Sequence, residues 1–283
     1  MKKILTLILT LICITLQLSA YDFKYDGIYY KITQRPTSGG IIAIPTVEVT
    51  AYSFADDGVD NNNAYKGFIN IPSRVTYNGD NYNVTSIGAF AFYKCANITS
   101  INIPASIEEI DGRAFAYCSS LTSFNVNASN SHYSSIGGVL YNSSATELVS
   151  YPNAHSKDTS ITISARSIGD CAFIGNSTLT EINLIGVSYI GDYSFGDCKN
   201  LTNITLGDGL STIGKYAFGG CDELHNVVIP SKLFYTSSNA FDKSGLKKVY
   251  ILGSPFFFRN GNCFKNLSNL EFIILDPTSF FCR

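Results

Sequence analysis

The sequence contains few of the groups on which catalysis depends. Only three of its 283 residues are histidines, at positions 132, 155 and 225, and it has no His-Glu-x-x-His, Gly-x-Ser-x-Gly, Walker or Cys-x-x-Cys motif. An enzyme needs polar groups that converge on one point, and a surface role explains His132 and His155 better. The sequence therefore predicts a protein that is not an enzyme and that uses no cofactor or metal ion.

Tryptophan is absent, and charged residues make up only 15% of the chain. Lys2 and Lys3 lie in a segment expected to be removed, which leaves 18 basic and 22 acidic residues. Without a basic stripe to neutralise phosphates, most of the electrostatic affinity for nucleic acid is missing. The balance argues against a nucleic-acid partner, and the lack of tryptophan weakens a sugar-binding interpretation.

No apolar run is long enough to cross a bilayer as a helix. The N-terminal run Ile4–Leu18 has 15 residues, whereas a span needs about 20. It follows two lysines and precedes Ser19-Ala20, which predicts a secretory signal peptide at residues 1–20. No cysteine follows where a bacterial lipoprotein carries its lipid. We expect a secreted or cell-surface protein with no membrane insertion after signal removal.

What the sequence does contain is a repeat. A phenylalanine, usually preceded by alanine or serine, recurs with spacings of 23, 58, 22, 23, 23 and 23 residues. An apolar residue and often a glycine stand five and four places earlier. The recurring phenylalanines are Phe92, Phe115, Phe173, Phe195, Phe218, Phe241 and Phe264. This period predicts a solenoid of stacked coils, because no single coil can bury its own apolar face.

Each repeat also contains a short alternating triplet, such as Ile182-Asn-Leu184. A strand alternates sides with a period of two, so the outer residues of a triplet face the core and the middle residue faces solvent. The triplets predict a β-rich solenoid of parallel strands. The glycine in corners such as Ile190-Gly191 suits a tight turn with a positive φ.

The unit Leu-x-x-Ile-x-Ile-Pro-x-x-Val-x-x-Ile-Gly-x-x-Ala-Phe-x-x-Cys resembles the BspA-like class of leucine-rich repeat. It is seen in Ile98-Thr-Ser-Ile-Asn-Ile-Pro104, followed by Ile110, Phe115 and Cys118. The resemblance extends from about Tyr21 to the C-terminus and implies a leucine-rich repeat solenoid, a right-handed stack of coils of about 23 residues. Members of that family are typically secreted or surface-attached proteins of anaerobic gut and oral bacteria, so the resemblance implies an adhesin-like role.

The chain divides into a signal peptide at 1–20, an N-terminal β cap at 21–85 and a solenoid at 86–283. The cap is predicted from alternating runs that turn at Asp26-Gly27 and Asn78-Gly79, two dipeptides that favour hairpins. A solenoid also needs its first coil covered, which gives the cap a physical reason to exist.

One stretch of the cap, Asp56–Asn63, is rich in oxygen ligands. A calcium site is one interpretation, because hard cations take about six or more oxygens from flexible loops. The stretch lacks the spacing and the distal glutamate of an EF-hand, so a solvated loop is the favoured interpretation.

The 58-residue spacing between Phe115 and Phe173 predicts an insert at about 127–159. Within it, Ile136–Tyr141 and Glu147–Tyr151 are predicted as the two strands of a hairpin. Family members often carry a Gly-Val-Leu-Tyr insert of this kind. The hairpin either projects as a binding element or extends the sheet, and the second alternative is favoured.

Eight cysteines in an exported chain would ordinarily indicate disulfides, but Cys13 falls in the signal peptide and seven remain. Four of them recur at one place in the repeat: Cys95, Cys118, Cys198 and Cys221. Equivalent side chains on coils about 5 Å apart point in parallel rather than toward each other. A ladder of buried thiols is therefore favoured over disulfides.

The middle residues of the triplets change from polar to apolar along the chain. In order they are Asn102, Asn125, Thr162, Asn183, Thr205, Val228, Tyr250 and Ile273. Asn and Thr are typical of a plain soluble sheet surface, whereas adjoining exposed apolar residues are unusual on a monomer. Either the aromatic run Phe256–Phe258 covers the apolar end, or that end contacts a partner with Tyr250 as the anchor. The candidate partner-binding residues are Val228, Tyr250, Ile273, Asn183 and Thr205.

The favoured function is an exported, non-catalytic scaffold for protein–protein or host-surface interaction. Carbohydrate capture by stacked surface tyrosines is the alternative. In either case the partner is a macromolecule that meets the chain outside the cell.

Overall fold

The computed structural model describes residues 20–35, 45–52, 54–55, 58–59, 64–155, 159–252, 263–264 and 266–275. Three predictions fall outside these ranges and are not addressed by the structure. They are the signal peptide before Ala20, the carboxylates and amides of the oxygen-rich stretch Asp56–Asn63, and the aromatic run Phe256–Phe258.

The described residues form 24 strands and no helix. In chain order these are β1 Phe23–Tyr25, β2 Ile28–Gln34, β3 Thr46–Val49, β4 Phe54–Ala55, β5 Gly58–Val59, β6 Lys66–Asn70, β7 Arg74–Tyr77, β8 Asp80–Ile87, β9 Asn97–Ile103, β10 Glu109–Ile110, β11 Ser123–Val126, β12 Tyr133–Ile136, β13 Val139–Asn142, β14 Glu147–Ser150, β15 Ser160–Thr162, β16 Ser167–Ile168, β17 Glu181–Leu184, β18 Tyr189–Ile190, β19 Asn203–Leu206, β20 Thr212–Ile213, β21 Asn226–Ile229, β22 Tyr235–Thr236, β23 Lys248–Ile251 and β24 Phe272–Leu275.

Successive coils stack in parallel register, which confirms the predicted β solenoid of the leucine-rich repeat type. The triplet strands form what we call the repeat sheet, in three groups: β6, β9 and β11; β15, β17 and β19; β21, β23 and β24. The two-residue strands at the repeat corners, β16, β18, β20 and β22, pair side by side in the corner sheet, and the four-residue strand β14 pairs with β16 at one end of this row. The alternation of apolar and polar residues in each triplet explains this arrangement, since one face of each strand must be buried.

The third side of each coil is the turn that contains the recurring phenylalanine. There the backbone N–H of one coil donates to a carbonyl of the next, as from Phe173 to Ser194 at 2.7 Å and from Phe195 to Ala217 at 2.8 Å. Inside, the phenylalanine rings stack on one another, with centroids 4.8 Å apart for Phe173 and Phe195 and 5.1 Å for Phe195 and Phe218. The recurring phenylalanines after the insert therefore form one aromatic stack from Phe173 to Phe264, and Phe92 stacks on Phe115 in the coils before the insert.

The prediction of a positive φ at the corner glycines is wrong. Positive φ values occur instead two residues before and two residues after the phenylalanine, as at Tyr193 (55°) and Asp197 (54°) around Phe195. The corner glycines are required for close approach. A Cβ on Gly191 would lie 2.5 Å from Asp170 Oδ1 of the preceding coil, so a side chain there would push the coils apart.

The N-terminal region contains the two predicted hairpins. β1 and β2 pair antiparallel around Asp26-Gly27, and β7 and β8 pair antiparallel around Asn78-Gly79, with all four turn residues at positive φ. β3 joins them by pairing parallel with β8. Within the segment predicted as the cap, β6 already pairs parallel with β9 and is the first strand of the repeat sheet.

The insert is a meander of three antiparallel strands, β12, β13 and β14, rather than the predicted two. The run Ile136–Tyr141 was expected to be one strand, but Gly137 and Gly138 both have positive φ and break it into a hairpin. β14 then pairs parallel with β16. The meander thus extends the corner sheet, as favoured from the sequence.

The insert also divides the core. Val139 and Leu148 pack with the buried side chains of the later coils, whereas Leu140 packs with those of the cap and the first coils. Tyr151 stacks on Phe173 at 4.8 Å and so takes the place of the missing phenylalanine. Tyr151 thus adds one ring to the aromatic stack of the later coils.

The four recurring cysteines form the predicted ladder of buried thiols. All six cysteines among the described residues are buried, and five of them are free thiols: Cys118, Cys171, Cys198, Cys221 and Cys263. The Sγ–H of Cys118 donates to the carbonyl of Phe92 at 3.0 Å, and that of Cys221 to Phe195 at 3.1 Å. Burial raises the pKa of the Cys118 thiol to about 12, so it stays protonated and packs as a small apolar group.

Candidate functional site

The exposed face of the repeat sheet carries four of the five predicted partner-binding residues as two cross-strand pairs. Asn183 lies beside Thr205 on β17 and β19, and Val228 lies beside Tyr250 on β21 and β23. Thr205 is exposed and Val228 is 46% exposed, whereas Asn183 and Tyr250 are half-buried. Among the strands the structure describes, no ladder joins β19 to β21, so the two pairs belong to separate three-stranded sheets.

The backbone register of β24 does not align Ile273 with these middle residues. β24 pairs with β23 so that Ile273 aligns with Val249, whose side chain is buried, and Ile274 aligns with Tyr250. The placement of Ile273 as a middle residue is therefore wrong by one position. The sequence did contain the correct signal, because Ile273 follows Leu270 by three places, as the first residue of other triplets follows its leucine.

We call Val228 and Tyr250 the apolar end of the repeat sheet. Asn226 and Lys248 lie two residues before Val228 and Tyr250 on the same strands and pair with each other in register. Because side chains alternate along a strand, these two polar residues share the outward face with the apolar pair. The apolar end thus adjoins a polar rim.

A second concave surface lies on the side of the phenylalanine turns. We call it the tyrosine groove and define it by its five aromatic residues: Phe90, Tyr93, Tyr117, Tyr193 and Tyr216. Its volume is about 520 Å³. Sequence analysis missed it because its aromatic residues occupy repeat positions at which the residue type varies from one coil to the next. The one available signal is that Phe90, Tyr193 and Tyr216 each stand two residues before a recurring phenylalanine.

The aromatic rings of the groove are held by one another and by the backbone beneath them. Tyr193 and Tyr216 stack with centroids 5.0 Å apart and planes inclined by 26°. Tyr93 and Tyr117 meet edge to face at 5.6 Å. The ring of Tyr117 lies over Gly175, where an added Cβ would come within 2.4 Å of Tyr117 Cδ1. Only glycine at this position leaves space for the ring.

The charged residues that line the groove are two of each sign, Arg113, Lys243, Asp197 and Asp242. The Tyr117 hydroxyl donates to Asp197 at 2.5 Å, and Asn266 donates to Asp242 at 2.7 Å. Arg113 donates to Asp111 through Nε and Nη2 and lies over the Phe90 ring at 4.9 Å. Arg113, Asp197 and Asp242 therefore each have a partner within the protein, and the formal charges of the lining sum to zero.

Two ionisable groups at the groove have shifted pKa values for identifiable reasons. Burial, followed by the hydrogen bond to Asp197, raises the pKa of Tyr117. The hydrogen bond from Arg113 lowers the pKa of Asp111. At neutral pH the Tyr117 hydroxyl therefore remains a donor and the Asp111 carboxylate remains ionised.

A third concavity, of about 610 Å³, is lined by Glu48, Glu109, Asp111 and Lys31 beside the cap. Burial raises the pKa of Glu48. No histidine lines this cleft, and among the described residues no three His, Cys, Asp or Glu side chains are arranged to hold a metal ion. The cleft therefore brings three carboxyl groups and one ammonium group together.

The histidines do not come together. Nδ1 of His155 is 2.9 Å from the carbonyl of Thr122, and Nδ1 of His132 is 3.1 Å from the Ser131 hydroxyl. Neither lines the tyrosine groove.

Within the ranges the structure covers, no helix has the length and apolar character needed to cross a membrane.

Comparison with solved structures places the fold among bacterial repeat proteins. A leucine rich cell surface protein from Faecalibacterium prausnitzii A2-165 is 17% identical, with a TM-score of 0.53 over 91% of this chain and 96% of that one. The pneumococcal vaccine antigen PcpA is 18% identical, with a TM-score of 0.48 over 92% and 89%. A leucine-rich repeat protein from Bacteroides ovatus ATCC 8483 is 24% identical, with a TM-score of 0.44 over 90% and 71%. A search of curated proteins gave no match.

The family is fixed by the sequence model that the repeats match. The model for the BspA type leucine rich repeat region matches in six copies, over residues 61–158 and 149–271. Together these segments span more than half of the chain and include the insert, the aromatic stack and the thiol ladder. The chain therefore belongs to the BspA-type leucine-rich repeat family.

Proposed function

We propose that this chain is an exported, non-catalytic binding scaffold that recognises a protein or another macromolecule of a host surface through the apolar end of its repeat sheet. The observation that carries the proposal is the pair Val228 and Tyr250, which lie side by side on the outward face. Val228 is 46% exposed and Tyr250 is half-buried, so the pair presents apolar surface that a partner would remove from water.

The shape of the apolar end favours a protein partner. The face is formed by neighbouring parallel strands, and a sheet surface of this kind buries area against another folded surface. Its composition also fits, since protein interfaces have an apolar centre and a polar rim, and tyrosine is frequent among the residues that dominate binding energy. Asn226 and Lys248 supply the polar rim on the same strands.

Export to the surface has two supports. The N-terminal segment has the order of a secretory signal, with lysines, an apolar run and then small residues. The F. prausnitzii protein that shares the fold is described as a cell surface protein. A repeat scaffold that is displayed outside the cell meets macromolecular partners directly.

The test is a binding screen with the exported chain, purified from residue 21, against immobilised extracellular-matrix proteins and intact epithelial cells. A double variant, Val228→Asp with Tyr250→Asp, should lose binding, because two buried carboxylates would face the partner. Thr162→Asp is the matched control, since Thr162 is an exposed middle residue of another sheet and the substitution adds the same charge. Circular dichroism establishes that every variant remains folded.

Binding that falls in the double variant and persists in the control supports the proposal. Equal binding by wild type and double variant rejects the apolar end as the contact surface. Absence of binding to every matrix protein and cell type rejects the proposed function itself.

A further inference from the structure

The tyrosine groove and the apolar end lie on different sides of the coil, one at the phenylalanine turns and the other on the repeat sheet. We propose that the tyrosine groove is a second binding site, which takes a segment of a neutral glycan chain. This inference depends on the groove alone and holds whether or not the repeat sheet binds a protein.

The size and lining of the groove are those of a ligand site. At about 520 Å³ it lies within the range typical of small-ligand pockets, roughly 300–1,000 Å³. Such pockets are lined mainly by apolar and aromatic side chains, with a small number of polar groups that fix orientation. The groove combines five aromatic rings with two carboxylates and two cations.

The aromatic rings form a platform for the apolar faces of sugars. Tyr193 is 38% exposed although burial raises its pKa, so one part of the side chain is packed and the other meets solvent. Tyr216 stacks against it from the next coil at 5.0 Å. A pyranose ring has a face of C–H groups, and packing this face on an aromatic ring removes apolar surface from water.

The charges select against an ionic ligand. Arg113 is already paired with Asp111, Asp197 accepts from Tyr117, and Asp242 accepts from Asn266. The lining carries two cations and two carboxylates whose formal charges sum to zero, so it has no net charge that would favour an anionic or a cationic ligand. Each carboxylate still has lone pairs to spare, since an ionised carboxyl group has about four acceptor sites. Hydroxyl groups are the donors that match such acceptors.

The groove is held open by the fold. A Cβ on Gly220 would lie 2.4 Å from Asp197 Oδ1, so glycine there leaves the carboxylate in place. The hydroxyl of Tyr117, which lies in a coil before the insert, donates a hydrogen bond to the same carboxylate and holds it in place. A site whose polar groups are held before binding loses less conformational entropy when the ligand arrives.

The experiment is calorimetric titration of the exported chain with four neutral hexasaccharides, maltohexaose, cellohexaose, xylohexaose and mannohexaose, and with an anionic oligogalacturonide. We expect at least one neutral sugar to bind in the micromolar to millimolar range. Tyr193→Ala and Tyr216→Ala should each weaken that binding about tenfold, because each removes one stacking surface. Tyr193→Phe keeps the ring and should retain most of the affinity.

Two exposed tyrosines of the corner sheet, Tyr189 and Tyr235, provide matched controls, since each is 43% exposed and lies outside the groove. Tyr189→Ala and Tyr235→Ala should leave sugar binding unchanged. The double variant of the apolar end should also bind sugar as wild type does, which separates this proposal from the proposed protein partner.

Three results would overturn the inference. The first is that no neutral hexasaccharide binds at about 10 mM, a concentration that detects even weak carbohydrate sites. The second is binding that Tyr193→Ala and Tyr216→Ala leave unchanged. The third is a preference for the anionic sugar, because the neutral lining gives no reason for one.

Discussion

The hydroxyl of Tyr117 donates a hydrogen bond to Asp197, which lies 80 residues later in the chain. Tyr117 belongs to the coils before the insert and Asp197 to the coils after it. The bond therefore ties the two parts of the solenoid together at the point where the insert divides the core.

Tyr117→Phe should lower the free energy of unfolding by about 1–2 kcal/mol, because a partly buried hydrogen bond to a carboxylate is lost without change of shape. Urea denaturation measures the difference. Tyr93 is the neighbouring tyrosine of the groove. Tyr93→Phe leaves the bond between Tyr117 and Asp197 intact, so it should lower the free energy of unfolding by less. Equal stability of wild type and Tyr117→Phe would show that the bond does not tie the two parts of the core.

The aromatic stack predicts a large cost for removing one ring. Phe195 is fully buried between Phe173 and Phe218. Phe195→Ala should reduce stability by about 3–5 kcal/mol through lost burial and a cavity. Phe234, which is 84% exposed, is the control, and Phe234→Ala should change stability by no more than about 0.5 kcal/mol. Similar losses in the two variants would contradict the stack as the centre of the core.

Corner glycines should resist substitution even though their φ values are ordinary. Gly191→Ala places a Cβ 2.5 Å from Asp170 Oδ1 and should cost about 1–3 kcal/mol. Gly209 has open space around it, so Gly209→Ala should be neutral or slightly stabilising. Thermal unfolding of both variants measures the contrast. A tolerated Gly191→Ala would mean that the coils stack less closely than described.

Glu147 on the corner sheet should make stability depend on pH. Burial, and then the nearby Asp170, raises the pKa of Glu147. The folded chain therefore keeps this proton where the unfolded chain has lost it, and stability falls as pH rises from the ordinary carboxyl pKa to the raised one. Glu147→Gln should stabilise the protein at pH 7 and lose that advantage below about pH 4. A less stable Glu147→Gln at neutral pH would contradict the assignment.

The sequence was sufficient for those features that repeat with a fixed period. The triplets, the phenylalanines and the cysteines recur at constant spacing, so their shared burial follows from stacking alone. In the last triplet the apolar residue types alone do not give the register: Ile273 follows Leu270 by three places, and its backbone aligns with Val249 rather than with Tyr250. The predicted strand Ile136–Tyr141 is broken at Gly137 and Gly138, because two consecutive residues with positive φ turn the chain.

The tyrosine groove lay beyond periodic reasoning. Its residues come from coils on both sides of the insert, and the contact of Tyr117 with Asp197 depends on how the insert brings those coils together. Aromatic residues at variable positions carry no signal of proximity until the stacking order is known. The positive φ values around Phe195 are likewise carried by Tyr193 and Asp197 rather than by glycine, so no sequence signature indicated them.

The most direct test of the proposed function is photo-crosslinking from the apolar end. A photoreactive phenylalanine analogue replaces Val228 in one protein and Thr162 in another, and each is irradiated on the matrix protein or cell surface that the wild type binds. The account predicts a crosslink to the partner from position 228 and none from position 162, which lies on a different sheet. Crosslinking from position 162 but not from position 228 would contradict the apolar end as the binding surface.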